Sequence, residues 1–251
     1  MRIISYNVNG IRSAMNKGFC DWLSTNPADV ICLQEIKANE ADIDVSAIQA
    51  AGYQAYFFPA QKKGYSGVGI LTRLQPSEVI CGSGFEQSDF EGRVMRAMIN
   101  GIQIICAYFP SGSSGDDRQA YKMQWLEEFY SFVTNLKSQD LVICGDYNIC
   151  HKPIDIHDPV SNKNSSGFLP EERAWMDKFF ELGFTDTFRH FNDAPHQYSW
   201  WSYRAGARAR NKGWRIDYIS VSTTLAHAVQ DAAIYPAIIH SDHCPIYVSL
   251  K

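Results

Sequence analysis

Four apolar runs in this chain end on polar side chains that handle protons or metals, and that recurrence limits the folds open to it. Leu141-Val142-Ile143-Cys144 reads as a buried strand that Gly145 breaks, with Asp146-Tyr147-Asn148 following. The same pattern closes Ser5-Tyr6-Asn7, Cys32-Leu33-Gln34-Glu35 and His240-Ser241-Asp242-His243. Active sites of α/β proteins form at the carboxyl ends of strands, where a rigid sheet holds the chemistry and a loop exposes it. Strand-like alternation puts Asp146 and Asn148 on one side and points Tyr147 away.

Strand-like runs recur over Arg2–Tyr6, Val30–Gln34, Gln54–Phe58, Val68–Thr72, Val94–Ile99, Ile102–Tyr108, Leu141–Cys144, Ile216–Val221, Val229–Ile234 and Ile246–Leu250. Asn100-Gly101 between two of them is a two-residue hairpin signal, so part of the sheet is antiparallel. The spacing of Ala120, Met123, Leu126, Phe129, Tyr130 and Val133 predicts a helix over Asp117–Lys137. A second is predicted over Pro170–Leu182, with proline at its first position, Glu171 and Glu172 in its first turn and a stop before Gly183. Thr25–Ala28, containing Pro27, reads as the turn between an early helix and the strand at Val30. The expectation is an α/β fold of sheets packed face to face and covered by helices. No composition shift marks a linker, so residues 1–251 are read as one domain.

With 45% hydrophobic and 20% charged residues, the composition is that of an ordinary globule. The net charge of −4 argues against indiscriminate polyanion binding, yet a local basic face would suffice for nucleic acid. None of the seven cysteines forms a C-x-x-C pair, and Cys32, Cys106 and Cys144 lie inside apolar runs. That pattern reads as reduced thiols in a cytosol. Residues 1–8 carry no cleavage signal and no stretch approaches a membrane span, so a cytoplasmic protein with no membrane partner is expected.

Hard oxygen ligands such as Glu35 and Asp242 suit Mg2+, with Mn2+ able to substitute. Asn7 and Asn148 can coordinate a metal or donate to a phosphoryl oxygen. Asp146 can deprotonate a water. His243, oriented by a carboxylate such as Asp217, can act as a base or stabilise a pentacovalent phosphorus. Tyr108 can donate to phosphate, or act as a phenolate if its pKa is lowered. Together these match metal-assisted phosphodiester hydrolysis. Singly, each has a plainer reading: a strand-end aspartate caps a turn and an asparagine after a strand is a turn residue. Only convergence in space turns them into a site.

Asn7-Val8-Asn9-Gly10-Ile11-Arg12, Leu33-Gln34-Glu35-Ile36-Lys37, Gly67-Val68-Gly69, Gly145-Asp146-Tyr147-Asn148, Gly213-Trp214-Arg215-Ile216-Asp217-Tyr218 and Ser241-Asp242-His243-Cys244-Pro245-Ile246 resemble the exonuclease III family of class II abasic-site endonucleases, in order from residue 2 to residue 250. Ser-Asp-His and Gly-Asp-x-Asn are shared by the wider endonuclease/exonuclease/phosphatase superfamily. The segment from Gly213 to Tyr218 discriminates better, as does Tyr108-Phe109-Pro110 with Arg118-Gln119-Ala120-Tyr121-Lys122. The resemblance implies a DNase I-like four-layer α/β sandwich, two mixed sheets flanked by helices, with the site at one end of the sheets. It implies Glu35 as principal metal ligand, Asn7 and Asp242 nearby, and Asp146, Asn148 and His243 within the metal set. Asp146 would orient or deprotonate the nucleophile, Asn148 and His243 would stabilise the transition state, Asp217 would hold His243, and Tyr108 would contact the scissile phosphate. The family is described with Asp146, Tyr108 or His243 handling the proton, and these stay unseparated here. Some relatives carry Asp where this chain has Asn9, which weakens any case for Asn9 as a ligand.

Arg204, Arg208, Arg210, Lys212 and Arg215 form a basic segment without an acidic residue, flanked by Trp200, Trp201, Tyr203 and Trp214. Cations interleaved with aromatics suit a phosphate backbone and a displaced sugar; the alternative is a solvated loop with its tryptophans in the core. The resemblance places Trp200, Trp214 and Ile216 around a flipped-out abasic deoxyribose, in a pocket too small for a base. Arg12, Lys37, Tyr65, Arg118, Lys122, Arg204, Arg208 and Asn211 are the further DNA-binding candidates. Ser111-Gly112-Ser113-Ser114-Gly115 lacks the arginine that some relatives insert into DNA. Glu40, Asp42 and Asp44 read as a solvated helix start, and His151, Asp155, His157 and Asp158 as a loop rather than a second metal site.

The resulting expectation is a monomeric, Mg2+-dependent DNA repair nuclease acting in base excision repair. It would hydrolyse the phosphodiester 5′ to abasic sites in double-stranded DNA, leave 3′-OH ends, and act as a 3′-5′ exonuclease and a 3′-end-cleaning phosphodiesterase or phosphatase. Two rivals are a lipid or inositol phosphatase of the same superfamily and a non-catalytic binding module. The basic segment and the tryptophan pair weigh against the first, and the full polar set against the second. The ratio of activities, and one metal or two, stay open.

Overall fold

The structure, a computed structural model, describes residues 1–136 and 140–251. One six-stranded mixed sheet holds β1 (Arg2–Asn7), β2 (Val30–Gln34), β3 (Gln54–Phe58), β4 (Val68–Thr72), β11 (Val229–Ile234) and β12 (Ile246–Leu250), in the order β11-β12-β1-β2-β4-β3. The other holds β5 (Glu78–Cys81), β6 (Val94–Ile99), β7 (Ile102–Tyr108), β8 (Leu141–Asp146), β9 (Phe184–Asp186) and β10 (Asp217–Ser222), in the order β5-β6-β7-β8-β10-β9. Helices α1 (Ile11–Asn16), α2 (Phe19–Thr25) and α3 (Val45–Ala50) flank the first sheet. Helices α5 (Asp116–Leu136) and α6 (Pro170–Glu181) flank the second, and α4 (Glu86–Phe90), α7 (Thr187–Phe191) and α8 (Thr223–Ala226) are short connections.

The apolar residues sort these elements into four layers. Ile3, Cys32, Ile70, Cys106, Val142, Cys144 and Ile219 form one core between the sheets. Their strand neighbours point the other way: Ile4, Ile31 and Leu33 pack on Phe19, Trp22 and Ile48 of the helices. Ile105 and Ile143 pack on Trp125, Phe129 and Phe179. Central strands buried on both faces are apolar throughout rather than alternating, which is why the runs were continuous in the sequence. The expected four-layer DNase I-like sandwich is the observed fold.

Register then delivers the site. β1 and β2 run parallel with Asn7 opposite Gln34. β7 and β8 run parallel with Tyr108 opposite Asp146. β10 runs antiparallel to β8 with Asp217 opposite Asp146. Asn7, Glu35, Tyr108, Asp146 and Asp217 therefore leave the two sheets at one common end.

Several boundaries differ from the sequence reading. Gly145 does not break β8; it stays in the strand, because a Cβ there would lie 2.3 Å from the Ala107 carbonyl oxygen across the parallel pair. β10 begins at Asp217 rather than Ile216, and β1 runs on to Asn7. β5 and β9 were not expected. They are short edge strands, and so few residues carry too little alternation to read. Asn100 and Gly101, at φ 52° and 80°, make the expected hairpin between β6 and β7. Lys137, placed in the predicted long helix, lies outside the described residues. The seven cysteines are free. Among the described residues no helix is long and apolar enough to cross a membrane.

A buried ionic network secures the approach to β10. Arg215, expected on a basic surface, is buried instead: its Nε donates to Asp155 Oδ1 at 2.7 Å and its Nη2 to Asp186 Oδ2 at 2.7 Å. Arg189 adds Nε and Nη2 to the same Asp155 oxygen at 2.9 and 2.7 Å. Burial alone would raise the Asp155 carboxyl, but Arg215 and Arg189 hold it down to about 2. A carboxyl that titrates there in the fold, and near 3.8 when unfolded, contributes on the order of 2 kcal/mol. Because the folded value is depressed, that stability is present above the unfolded value and is lost as pH falls toward the folded one. Asp155→Asn is expected to cost about 3–5 kcal/mol near neutral pH by leaving a buried guanidinium short of its partner. It should also flatten the loss of stability between about pH 5 and about pH 2. Denaturant melts across that range check this; parallel pH profiles for the two proteins would remove Asp155 from the account.

Candidate active site

At the shared strand ends, one amide joins two carboxylates. Asn7 Nδ2 donates to Glu35 Oε1 and to Asp146 Oδ2, both at 2.9 Å. The backbone N–H of Asn9 donates to Asn7 Oδ1 at 2.9 Å, which sets the orientation of the amide. Asn7 thus turns its nitrogen, rather than its oxygen, to the carboxylates. Glu35 has left β2 in the left-handed region, φ 52°, as has Lys37 at φ 49°. Lys37 Nζ lies 2.6 Å from Glu35 Oε2 and donates to Asn9 Oδ1 at 2.5 Å. Burial pushes the Glu35 carboxyl up, but the Lys37 ammonium and the Asn7 hydrogen bond outweigh it and hold the group below its ordinary value.

Asp146 is buried and saturated with donors. Its Oδ1 accepts the Asn148 backbone N–H at 2.9 Å; its Oδ2 accepts Asn148 Nδ2 at 3.2 Å besides Asn7. His243 Nε2 lies 3.8 Å from Oδ2. On its other side His243 Nδ1 meets Asp217 at 2.9 and 3.1 Å. Ser199 Oγ donates to Asp217 Oδ2 at 2.6 Å and accepts the backbone N–H groups of Ile216 and Asp217 at 3.2 Å. Burial raises the Asp146 carboxyl, and Asp217 and Glu35 add to this against the opposing effect of His243. Burial would lower His243, but the Asp217 and Asp146 carboxylates outweigh it and raise the imidazole above its ordinary value.

Ligand atoms of Glu35, Asp146 and His243 lie within 4.8 Å of one another, forming a candidate metal site. Its two carboxylates are hard oxygen donors of the kind divalent cations of the magnesium class require. Asp242 lines the same cleft, but its oxygens are engaged: Oδ1 by Asn9 Nδ2 at 2.9 Å and Oδ2 by Trp200 Nε1 at 3.0 Å. Asn9, discounted as a ligand, thus links Lys37 to Asp242. Tyr108 ends β7 with the Arg93 guanidinium 4.8 Å from its ring centre. Burial and the Glu35 carboxylate nevertheless push its hydroxyl well above the ordinary range. That direction favours the protonated hydroxyl, a donor, over the phenolate.

These groups floor a cleft of about 750 Å³ whose apolar wall is Trp200, Trp214 and Ile216. The two indoles meet edge to face, centres 5.9 Å apart, and their backbones exchange hydrogen bonds at 2.9 Å. Ser111, Gly112, Ser113, Ser165 and Ser166 form part of the facing wall.

The expected DNA-binding residues divide. Arg204 and Asn211 are exposed, together with Arg210 and Lys212. Asn211 accepts Trp201 Nε1 at 3.1 Å and donates to the His196 carbonyl at 3.1 Å, which pins its loop. Arg208 stacks on Trp201 and donates to the carbonyls of Ser241, Ile238 and Pro236, so most of its donors hold the loop before Asp242. Arg118 forks onto Glu91 at 2.8 Å and, with Arg93, donates to the Tyr65 hydroxyl. Arg12 is exposed beside a separate depression with Asp21, Asp42 and Asp44. Lys122 is a correction. It is fully buried, its Nζ spent on Glu172 and on the Asn148 carbonyl, because α6 covers that face of α5. Ser199, Arg93 and Glu91 were not found from the sequence. Nothing in their spacing shows that they meet Asp217 or Tyr108 across the fold.

The model of the Endonuclease/Exonuclease/phosphatase family matches residues 4–243. An exodeoxyribonuclease of Bacillus subtilis (strain 168) is 43% identical over 249 residues, 98% of each chain. Among solved structures, an AP endonuclease from Archaeoglobus fulgidus superposes with a TM-score of 0.92 at 33% identity, covering 100% of this chain and 99% of that one. A 3′ phosphatase from Neisseria bound to a product DNA hairpin superposes with a TM-score of 0.93 at 29% identity, with the same coverage.

The Ser199 hydroxyl predicts a measurable effect on the fold. Ser199→Ala strips a donor from buried Asp217 and an acceptor from two backbone amides, which should cost about 1–3 kcal/mol. Denaturant melts of the variant and the parent measure it, and equal stability would mean that the hydroxyl is not needed there.

Proposed function

This chain belongs to the exonuclease III branch of the endonuclease/exonuclease/phosphatase family, and from that premise we propose how it acts as a DNA repair nuclease. It hydrolyses the phosphodiester 5′ to an abasic site in double-stranded DNA, leaving a 3′-hydroxyl, and trims nucleotides or blocking groups from 3′ ends with Mg2+ as cofactor. The observation that carries this reading is the convergence of Glu35, Asp146 and His243 on the floor of a cleft walled by Trp200, Trp214 and Ile216. Free, mostly buried thiols fit a reducing cytoplasm.

When bound, the divalent cation supplies Lewis acidity to the phosphoryl oxygens; Glu35 would hold it, with Asp146 within reach. Asp146 accepts the proton of the attacking water, since its raised pKa brings it toward the working pH. The raised values of His243 and Tyr108 favour their protonated forms, so that proton is given to Asp146 rather than to either of them. They donate instead: His243 Nε2–H and the Tyr108 hydroxyl stabilise the charge that develops on the phosphoryl oxygens. Asp217 and Ser199 fix the His243 ring, and Asn148 holds both oxygens of Asp146. The tryptophan wall receives the abasic sugar and excludes a base by size. Exposed Arg204, Arg210 and Lys212 supply salt-sensitive attraction for the phosphate backbone.

A duplex carrying one abasic site should be nicked on its 5′ side with Mg2+ and left intact in EDTA; no metal-dependent nick would end this reading. Asp146→Asn and His243→Ala should each lower turnover by about 10²–10⁴-fold with the fold preserved. Full activity in both would remove the roles given to them.

A further inference from the structure

We propose that the buried Lys122–Glu172 ion pair is the positioning device for Asn148 and, through it, for Asp146; this rests on the catalytic role given above to Asp146. Lys122 lies on α5 and Glu172 in the first turn of α6, both fully buried, with Nζ 2.5 Å from Oε1. Taking two charges out of water costs so much that apolar residues of similar volume often stabilise a fold as well or better. Stability alone is therefore a weak reason for this pair. Its output is specific: Lys122 Nζ donates to the Asn148 carbonyl at 2.8 Å.

Asn148 sits at φ 52°, in the left-handed region that asparagine tolerates better than most residues with a side chain, and Lys122 holds its carbonyl in that conformation. From that conformation it delivers its backbone N–H to one oxygen of Asp146 and its side-chain amide to the other. Gly167 packs against the same carbonyl: a Cβ there would lie 3.0 Å from the Asn148 oxygen and 3.0 Å from the Trp214 ring. Glu172 Oε2 holds that glycine in place, accepting the N–H groups of Gly167 at 2.6 Å and Leu169 at 3.0 Å. Glu172 Oε1 also accepts Gln119 Nε2 at 3.1 Å, and Gln119 Oε1 accepts the Ser166 hydroxyl at 2.7 Å. One buried pair therefore binds the Asn148 carbonyl through Lys122 and, through Glu172, fixes the glycine packed against that carbonyl. Neither Lys122 nor Glu172 lines the cleft, so they act through Asn148 and are positioning residues.

Lys122→Met combined with Glu172→Gln removes both charges and leaves no unpaired ion. Turnover of an abasic duplex with Mg2+ should fall by about 10²-fold, as expected when a reacting group is displaced by about an ångström. Affinity for the same duplex, read by fluorescence anisotropy in EDTA, should stay within about twofold, since uniform binding is untouched. In an Asp146→Asn background the same double change should lower the residual turnover by less than about threefold, because residues acting through one another are not additive. If the double variant does not fold, Glu172→Gln alone is taken through the same cycle, with a smaller loss expected. An equal loss in the parent and in the Asp146→Asn background overturns the inference and leaves the reading of the site intact. A loss of DNA affinity that parallels the loss of turnover does the same. Full turnover in Asp146→Asn itself overturns both the role of Asp146 in the site and this inference.

Discussion

One hydrogen-bonded bridge holds the site together: the Asn7 amide between Glu35 and Asp146. Glu35 follows a strand of one sheet and Asp146 ends a strand of the other. Two carboxylates brought this close repel in a low-dielectric interior unless donors or cations answer them. Asn7 answers both with one nitrogen, and it can do so only because the Asn9 backbone N–H occupies its oxygen. The geometry of the site therefore inherits the spacing of the two sheets, which the core of Ile3, Cys32, Cys106 and Cys144 sets. Close packing makes that spacing stiff.

Around this bridge the buried charges divide by role. Glu35 is held ionised by Lys37, whereas Asp146 is driven the other way by burial and by two neighbouring carboxylates. His243 stands between Asp146 and Asp217, and both carboxylates raise its affinity for a proton. Groups of one chemical type, pushed apart by their surroundings, can then serve as ligand, base and orienting partner. The Asp155 network works differently. Its two guanidiniums face carboxylates that tie the segment before β10 to α7.

Much of the fold was legible. Strands buried on both faces are written as continuous apolar runs, and Asn100-Gly101 specifies a turn that few other pairs make well. Edge strands β5 and β9 were not legible, because pairing with a neighbour rather than their own pattern makes them strands. Gly145 misled for a related reason: a glycine signals a break locally, yet here it allows β7 and β8 to approach. At the site, strand-end position identified residues that do meet, among them Asn7, Glu35, Tyr108, Asp146, Asp217 and His243. It could not separate an exposed cation from a buried one. Lys122 and Arg215 look like their basic neighbours in one dimension and are fully enclosed in three.

The sequence by itself determined the two-sided burial of the central strands, the hairpin at Asn100-Gly101 and the polar residues that close each strand. These depend on local sterics and on the period of apolar side chains, both of which travel with the chain. Only the tertiary structure decided which of those polar groups carry a proton, which are spent on each other and which face the cleft. Protonation and hydrogen bonding depend on desolvation and on partners remote in sequence. Lys122 reaches Glu172 fifty residues away, and Asp217 receives its hydroxyl from Ser199 across a turn of the loop that carries the tryptophan wall.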